Sequence, residues 1–150
     1  MFFQRINQND PERAFIAVYN SYSTASLTNG QAVMWDYATD ADGVSVTKPA
    51  AINGIAAAGV AVQTIAAGAY GLIQVYGKHD AVRVRSVTGG SPAVAAGIPL
   101  AMQNAVFCLE SYATNYASTV AINTKFPCGF ALAANALYTT AAIAVFLKCL

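Results

Sequence analysis

The residues best suited to proton transfer in this sequence lie together at positions 78–80. His79 is the only histidine among 150 residues, and it stands between Lys78 and Asp80. A Ser-His-Asp arrangement would also need a selected serine, and the chain has no GxSxG motif to supply one. Glu110 is the only acidic residue after Asp80, so the C-terminal half offers no paired carboxylates. We interpret His79 as a turn residue and expect no catalytic residue and no enzyme activity.

Acidic residues are concentrated in the stretch DYATDADG at positions 36–43. Asp36, Asp40 and Asp42, followed by Gly43, faintly resemble the first half of a calcium loop. The bidentate glutamate of such a loop is missing, because residues 44–49 contain no acid. A solvated hairpin turn is our interpretation, with a weak cation site as the alternative. The stretch TGGSPA lacks the lysine of a phosphate-binding loop, and we expect no cofactor and no metal.

The three cysteines, Cys108, Cys128 and Cys149, form no CxxC pair and leave one without a partner. Free cysteines usually behave as small buried hydrophobic residues, and we expect free thiols here. The first ten residues, MFFQRINQND, contain no apolar core behind a basic end, so we expect no secretory signal and synthesis in the cytosol.

Charged residues are scarce in this chain. They make up 10% of the sequence, against about 25% in ordinary soluble domains, while 56% is hydrophobic. So few charges cannot cover an isolated soluble monomer in the ordinary way. Either much of the exterior consists of Ser, Thr, Asn, Gln and Ala, or something else covers much of it. The net charge of +1 gives no electrostatic basis for binding nucleic acid or an anionic membrane. The eight tyrosines are not interleaved with basic residues and suit strands and protein interfaces.

The longest uncharged run covers residues 49–77, long enough for a transmembrane helix. Glycines interrupt it as turn punctuation, and Val60 and Val62, then Ile73 and Val75, alternate with other residues. Period two with β-branched residues predicts strands, joined here as a hairpin in which Gly68 supplies a positive φ. The uncharged run 129–147 likewise divides into strands GFALA and AIAVFLKCL around ANALYTT. A membrane-spanning helix over either run is the alternative.

Further short strands are predicted along the chain. They cover residues 14–19, the segment QAVMWDYA, a hairpin partner VSVT after the Asp42-Gly43 turn, and HDAVRVRSV; MQNAVFCLESY is a strand or a short helix. Pro49 should end VSVT, and TGGSPAVAAGIPL should be a loop. This spacing predicts an all-β fold, a small β-barrel or β-sandwich of short antiparallel strands. Residues 1–12 form an extended N-terminal arm and residues 13–150 a single β-domain.

Four segments of the chain, in this order, carry a pattern of glycine, alanine and hydrophobic positions. The positions of the first are Leu27, Gly30, Val33, Trp35 and Asp36. Those of the second are Gly59, Val60, Ala61, Ile65, Ala66, Ala67, Gly68, Gly71, Val75 and Gly77. The third has Gly97, Pro99 and Leu100, with Ala96 shifting the pattern slightly, and the last has Gly129, Ala131, Leu132, Ala134, Val145 and Leu147. In these segments the chain resembles the small capsid decoration (cement-type) proteins of tailed bacteriophages. The resemblance covers roughly residues 25–148, and Asn135 stands where that family would have an alanine.

The resemblance implies a structural virion protein on the outer capsid surface, a homotrimer or homodimer. It would bind the major capsid protein and stabilise contacts between its subunits, with no nucleic acid and no membrane as partner. We expect the arm residues Met1, Phe2, Phe3 and Arg5 to contact the capsid or a neighbouring subunit, because exposed phenylalanines need a partner. The alternatives are a tail or baseplate structural β-protein and a small membrane-associated protein.

Overall fold

The computed structural model describes residues 12–50, 56–86, 93–112, 126–136 and 139–149, and in these ranges every regular element is a β-strand. The nine strands are β1 (Ala14–Asn20), β2 (Ala32–Trp35), β3 (Ser45–Thr47), β4 (Ala57–Ala61), β5 (Tyr70–Arg85), β6 (Pro99–Met102), β7 (Leu109–Ser111), β8 (Gly129–Ala131) and β9 (Thr140–Lys148). The all-β prediction is confirmed.

The long strand β5 organises the sheet. Its order is β1-β3-β2-β4-β5-β7-β6-β8-β9, and β5 pairs in addition with β1 and with β9. These two extra pairings close two circuits of five strands that share β5. The first circuit contains β1 to β4 and the second contains β6 to β9. The N-terminal part of β5 pairs with β1, from Tyr70 to Tyr76, and the part from Tyr76 to Arg85 pairs with β9.

The second circuit repeats the plan of the first. The pairs Ala32↔Val60 in β2–β4 and Pro99↔Phe130 in β6–β8 have the same place in the two circuits. An isolated bridge stands at the same point of each, Leu27↔Ile65 and Val94↔Asn135. The amides of Gly30 and Gly97 donate to the carbonyls of Ala61 and Ala131, each at 2.8 Å. The protein is therefore built from two similar halves, and β5 ends one half and begins the other.

Each circuit encloses its own hydrophobic core. The core of the first contains Val18, Leu27, Val33, Val46, Ala58, Ala61, Ile65, Ile73 and Val75. The core of the second contains Ala32, Val60, Val82, Val84, Val94, Leu100, Met102, Leu109, Cys128, Ala131, Ile143, Val145 and Leu147. Successive residues of a strand point to opposite faces, so Ala32 and Val60 reach the second core while Val33 and Ala58 reach the first. Strands β2 and β4 are thus buried on both faces, which explains their lack of charge.

Several predicted elements are confirmed. The strand at residues 14–19 is β1, and the strands on either side of Asp42-Gly43 pair as the antiparallel hairpin β2–β3, which ends before Pro49. Strands β4 and β5 pair as predicted around Gly68, whose φ is 73°. Strands β8 and β9 form the predicted C-terminal hairpin, and MQNAVFCLESY contains strand β7.

Three features differ from the sequence-based expectations. The segments LIQVY and HDAVRVRSV are one strand of 16 residues, because Gly77 continues the ladder at a φ of 96° instead of turning the chain. The pairs β1–β3 and β5–β7 are parallel, although antiparallel strands were predicted throughout. The predicted loop at residues 88–100 ends earlier than expected, since β6 begins at Pro99, and residues 88–92 of that loop lie outside the described ranges.

Candidate interaction surface

His79 is buried within β5, so the turn interpretation of this residue is wrong. Its side chain is 6% exposed, and its Nδ1 accepts a hydrogen bond from the amide of Ala81 at 3.1 Å, beside a register shift in the pairing with β9. Burial lowers the pKa of His79, and a backbone hydrogen bond with Ala61 partly opposes this. The imidazole is therefore neutral at pH 7 and engaged with the backbone, which is a structural role.

The charged neighbours of His79 form an exposed ion-pair cluster. Asp80 lies 2.8 Å from Lys78 Nζ and 3.6 Å from Arg13 of the segment leading into β1. The hydrogen bond from Lys78, followed by its charge, lowers the pKa of Asp80. Because Asp80 is largely exposed, such pairs contribute little to stability. Lys78 and Asp80 thus lie on the exposed side of β5, opposite the buried ring of His79.

Two of the acidic residues of the β2–β3 hairpin, Asp36 and Asp40, accept hydrogen bonds from the protein. The Asp40 carboxylate accepts hydrogen bonds from the amides of Asp42, Val44 and Ser45 at 3.0, 3.2 and 2.7 Å. Hydrogen bonding with Ser45, then with Asp42, lowers the pKa of Asp40. Asp36 accepts a 2.6 Å hydrogen bond from the hydroxyl of Ser21. Within the described ranges no group of three His, Cys, Asp or Glu side chains could hold a metal ion.

The feature with the chemistry of a binding site is a row of aromatic rings on the outside of β5, β9 and β8. Phe146 contacts Tyr76 edge to face, at a centroid distance of 5.3 Å, and stacks on Phe130 at 5.2 Å. Phe130 and the following Leu132 are each 39% exposed. We call Tyr76, Phe146, Phe130 and Leu132 the aromatic row. Its rings pack against one another and are already ordered, so little side-chain entropy would be lost when a binding partner contacts them.

A second exposed apolar face lies on the paired strands β1 and β5. Tyr70 is 71% exposed and packs against Tyr19, its partner in the ladder, at a centroid distance of 5.2 Å. Leu72 and Phe15, on the same two strands, are also exposed. We call Phe15, Tyr19, Tyr70 and Leu72 the β1–β5 face. Exposed aromatic clusters of this kind are typical of protein interfaces.

The site residues proposed from sequence, Met1, Phe2, Phe3 and Arg5, lie outside the described residues. The structure does describe Glu12 and Arg13, which connect the N-terminal arm to β1. The carbonyl oxygen of Glu12 and the Cα of Arg13 lie against Gly77 of β5, the residue after Tyr76. The N-terminal segment is therefore attached next to the aromatic row.

Sequence reasoning missed the aromatic row, although a signal was present. In β8 and β9 the residues alternate between buried and more exposed, with Ala131, Val145 and Leu147 inside and Phe130 and Phe146 outside. Large apolar residues at the outward positions of two neighbouring strands predict an apolar surface stripe. In the part of the chain that the structure describes, there is no helix long and apolar enough to cross a membrane.

Comparison with known proteins finds likeness among solved structures. No family model matches this chain, and no curated protein matches it. A solved structure described as the N base of the head fiber gp8.5 of bacteriophage phi29 is similar, with a TM-score of 0.49 and 16% identity. The likeness covers 90% of this chain and 94% of the head fiber chain. At this level of similarity the role of the head fiber protein is not transferred to the present chain.

Proposed function

We propose that this protein is a structural component of a phage virion. It binds the outer surface of the capsid and stabilises contacts between major capsid protein subunits. The observation that carries the proposal is the aromatic row, an ordered and exposed apolar surface beside the N-terminal segment, in a chain with only 10% charged residues. Removing such a surface from water is favourable, at roughly 25 cal/mol per Å² of apolar area.

The sequence resemblance to capsid decoration proteins supports the same function. Its four segments coincide with the first bridge and β2, with the β4–β5 hairpin, with β6, and with the β8–β9 hairpin. Five of its glycines, Gly30, Gly59, Gly68, Gly77 and Gly97, have positive φ angles, so they occupy positions that the backbone path requires. The shared residues thus fall at positions that define the fold.

The N-terminal arm supplies the second contact. Residues 1–11 precede Glu12 in the sequence, and Glu12 lies against Gly77, next to Tyr76 of the aromatic row. Met1, Phe2, Phe3 and Arg5 stand at the far end of the arm. The two phenylalanines would bind one capsid subunit, and the aromatic row, next to the start of the arm, would bind its neighbour. One copy would then hold two capsid subunits together.

The mechanism is additive binding. Each bound copy lowers the free energy of the assembled shell relative to separated subunits, by mass action. A homotrimer or homodimer would cover the β1–β5 face between copies and would multiply the capsid contacts of each particle. Because the surface carries few charges, little charge desolvation opposes this association.

Light scattering on the purified protein, alone and mixed with expanded capsids that lack it, tests this proposal. We expect a soluble dimer or trimer that joins the capsids at a saturable stoichiometry and raises their melting temperature. A protein lacking residues 1–11 is the matched variant and should bind with clearly reduced affinity. A soluble oligomer that ignores capsids would overturn the capsid assignment and favour a tail or baseplate role. Insolubility without detergent would favour a membrane-associated protein.

A further inference from the structure

Two of the three thiols lie side by side where β8 and β9 meet. Gly129 of β8 pairs with Leu147 of β9, and the amide of Lys148 donates to the carbonyl of Cys128 at 2.8 Å. Cys149 follows Lys148, and its Sγ lies 3.4 Å from that same carbonyl oxygen of Cys128. Both side chains also pack against the second hydrophobic core. Continued by one residue, this register puts Cys128 opposite Lys148, so Cys149 is its diagonal neighbour. With strands about 4.8 Å apart and a rise of about 3.3 Å per residue, the Cα separation of such a diagonal pair is about 5.8 Å, within the range of about 4.4–6.8 Å found in disulfides.

From this juxtaposition we propose that Cys128 and Cys149 form a disulfide when the protein meets an oxidising medium. The bond would join two strands that already touch, so no backbone segment has to move far to make it. Cys108 is excluded as a partner by its position, because it lies in the turn between β6 and β7 and is not part of the core that holds Cys128. The chemistry does not depend on the proposed virion role.

The environments of the two thiols set the order of the reaction. Cys149 is partly exposed, whereas Cys128 is 2% exposed and donates to the carbonyl of Leu100 at 3.5 Å. With a small disulfide such as oxidised glutathione, the Cys149 thiolate attacks one sulfur and releases one glutathione thiolate. The Cys128 thiolate then attacks the Cys149 sulfur of this mixed disulfide and displaces the second glutathione thiolate. The protein gives up two electrons and two protons, and the oxidant becomes two thiols.

The position of the bond gives it a structural consequence. Cys149 packs against both hydrophobic cores, and its amide donates to Val75 of β5 at 2.9 Å. A link from Cys149 to Cys128 therefore fixes the segment after β9 at the junction of the two circuits. It also closes a loop between residues 21 positions apart, which restricts the unfolded chain.

Tryptic mapping distinguishes every possible pairing, because each cysteine falls in a different peptide. Cys108 lies in peptide 86–125, Cys128 in peptide 126–148 and Cys149 in the peptide that begins at residue 149. After incubation of the reduced protein with oxidised glutathione, we expect a loss of two hydrogen atoms, no glutathione adduct, and a link between peptide 126–148 and the peptide that begins at Cys149. The melting temperature should rise by about 5–10 °C on oxidation.

Three variants complete the test. Cys108→Ser should keep the link and the rise in melting temperature. Cys128→Ser should accumulate one glutathione on Cys149, and Cys149→Ser should acquire neither adduct nor link, since Cys128 is buried. The proposal is overturned if the wild-type protein retains glutathione on Cys149 or links Cys108. It is equally overturned if its thiols stay free in the folded state and react only in denaturant.

Discussion

Asn20 and Asn135 make corresponding hydrogen bonds in the two halves of the protein, with the asparagine on the strand in one half and on the facing segment in the other. Asn20 ends β1, and its Nδ2 donates to the carbonyls of Ile65 and Ala66 at 3.1 and 3.2 Å. Asn135 occupies in the second half the place of Ile65, and its Nδ2 donates back to the carbonyl of Val84 in β5 at 2.9 Å. Each half thus has one buried asparagine that joins the segment at the isolated bridge to a neighbouring strand. In the first half the donor lies on the strand β1, and in the second half it lies on the bridge segment.

This relationship predicts a stability cost at both sites. Asn20 and Asn135 are 0% and 5% exposed, so removal of either amide leaves buried carbonyl groups with fewer donors and a small cavity. We expect Asn20→Ala and Asn135→Ala each to lower the free energy of unfolding by about 1–3 kcal/mol. Urea denaturation monitored by tryptophan fluorescence measures it, since Trp35 is the single tryptophan.

Ser86 provides the matched control for the asparagine variants. It takes the place of Asn20 in the second half, as its amide bonds to Thr139 in the way that of Asn20 bonds to Ala69, both at 2.9 Å. Its buried hydroxyl makes no hydrogen bond among the described residues. Ser86→Ala should therefore change stability by less than about 0.5 kcal/mol or raise it. A loss of stability as large as that of Asn20→Ala would contradict the conclusion that the side-chain hydrogen bonds of Asn20 and Asn135 provide the stabilisation.

Gly30 joins the first half to β5 through its backbone. It has a φ of 83°, its carbonyl accepts from the amide of Arg83 at 2.8 Å, and an added Cβ would collide with the carbonyl oxygen of Ala81. Gly43 has a similar φ of 71° but has open space around the same position. We expect Gly43→Ala to cost about 1–2 kcal/mol from backbone strain alone, and Gly30→Ala to cost distinctly more. Equal losses of melting temperature in the two variants would contradict a steric role for Ala81.

His79 predicts the pH dependence of stability near neutrality. Burial lowers its folded pKa below the unfolded value of about 6.5, so the unfolded chain binds the proton more readily. The stability that the neutral ring contributes is complete above pH 6.5 and is lost as the pH falls through the folded pKa. The carboxylates whose pKa values are lowered, Asp40 and Asp80, titrate at more acidic pH.

The measurement is a series of urea titrations between pH 7.5 and 5, for the wild-type protein and for His79→Asn, whose amide oxygen can replace the Nδ1 acceptor. As His79 is the only histidine, the decline in stability from pH 7 toward pH 5 should disappear in the variant. An unchanged slope would show that another group is responsible.

The sequence revealed local structure well and long-range structure poorly. Val60, Val62, Ile73 and Val75 predicted the β4–β5 hairpin because its strands are neighbours along the chain and show a clear period of two. The same period, applied to Lys78, His79 and Asp80, would have placed the histidine inside and its two neighbours outside, as the burial pattern of β5 has them. The charges of Lys78 and Asp80 were given more weight than the alternation, and His79 was therefore wrongly interpreted as a turn residue.

The parallel pairs and the repeat of the two halves were not accessible from one sequence. Pairings such as Tyr19↔Ser45 and Val84↔Leu109 join strands that are not consecutive, and no local pattern specifies them. The repeat is hidden because equivalent positions carry different residues, such as Ile65 and Asn135, whose backbone bonds match while their side chains do not. The arm residues Met1, Phe2, Phe3 and Arg5 stay a prediction.

The aromatic row predicts where a capsid contact is most sensitive to substitution. Phe130 is 39% exposed at the centre of the β8–β9 surface, stacked on Phe146, whereas Val44 is 40% exposed in the distant β2–β3 turn. Loss of an aromatic ring from the centre of an interface commonly costs more than about 1.4 kcal/mol, which corresponds to a tenfold change in affinity. We expect Phe130→Ser to weaken binding to capsids at least tenfold and Val44→Ser to leave it unchanged.

Phe15→Ser, on the β1–β5 face, should alter the oligomeric state more than capsid affinity. Co-sedimentation over a concentration series, with circular dichroism to confirm folding, measures both effects. Capsid binding that survives Phe130→Ser but fails with Phe15→Ser would assign the capsid contact to the β1–β5 face instead.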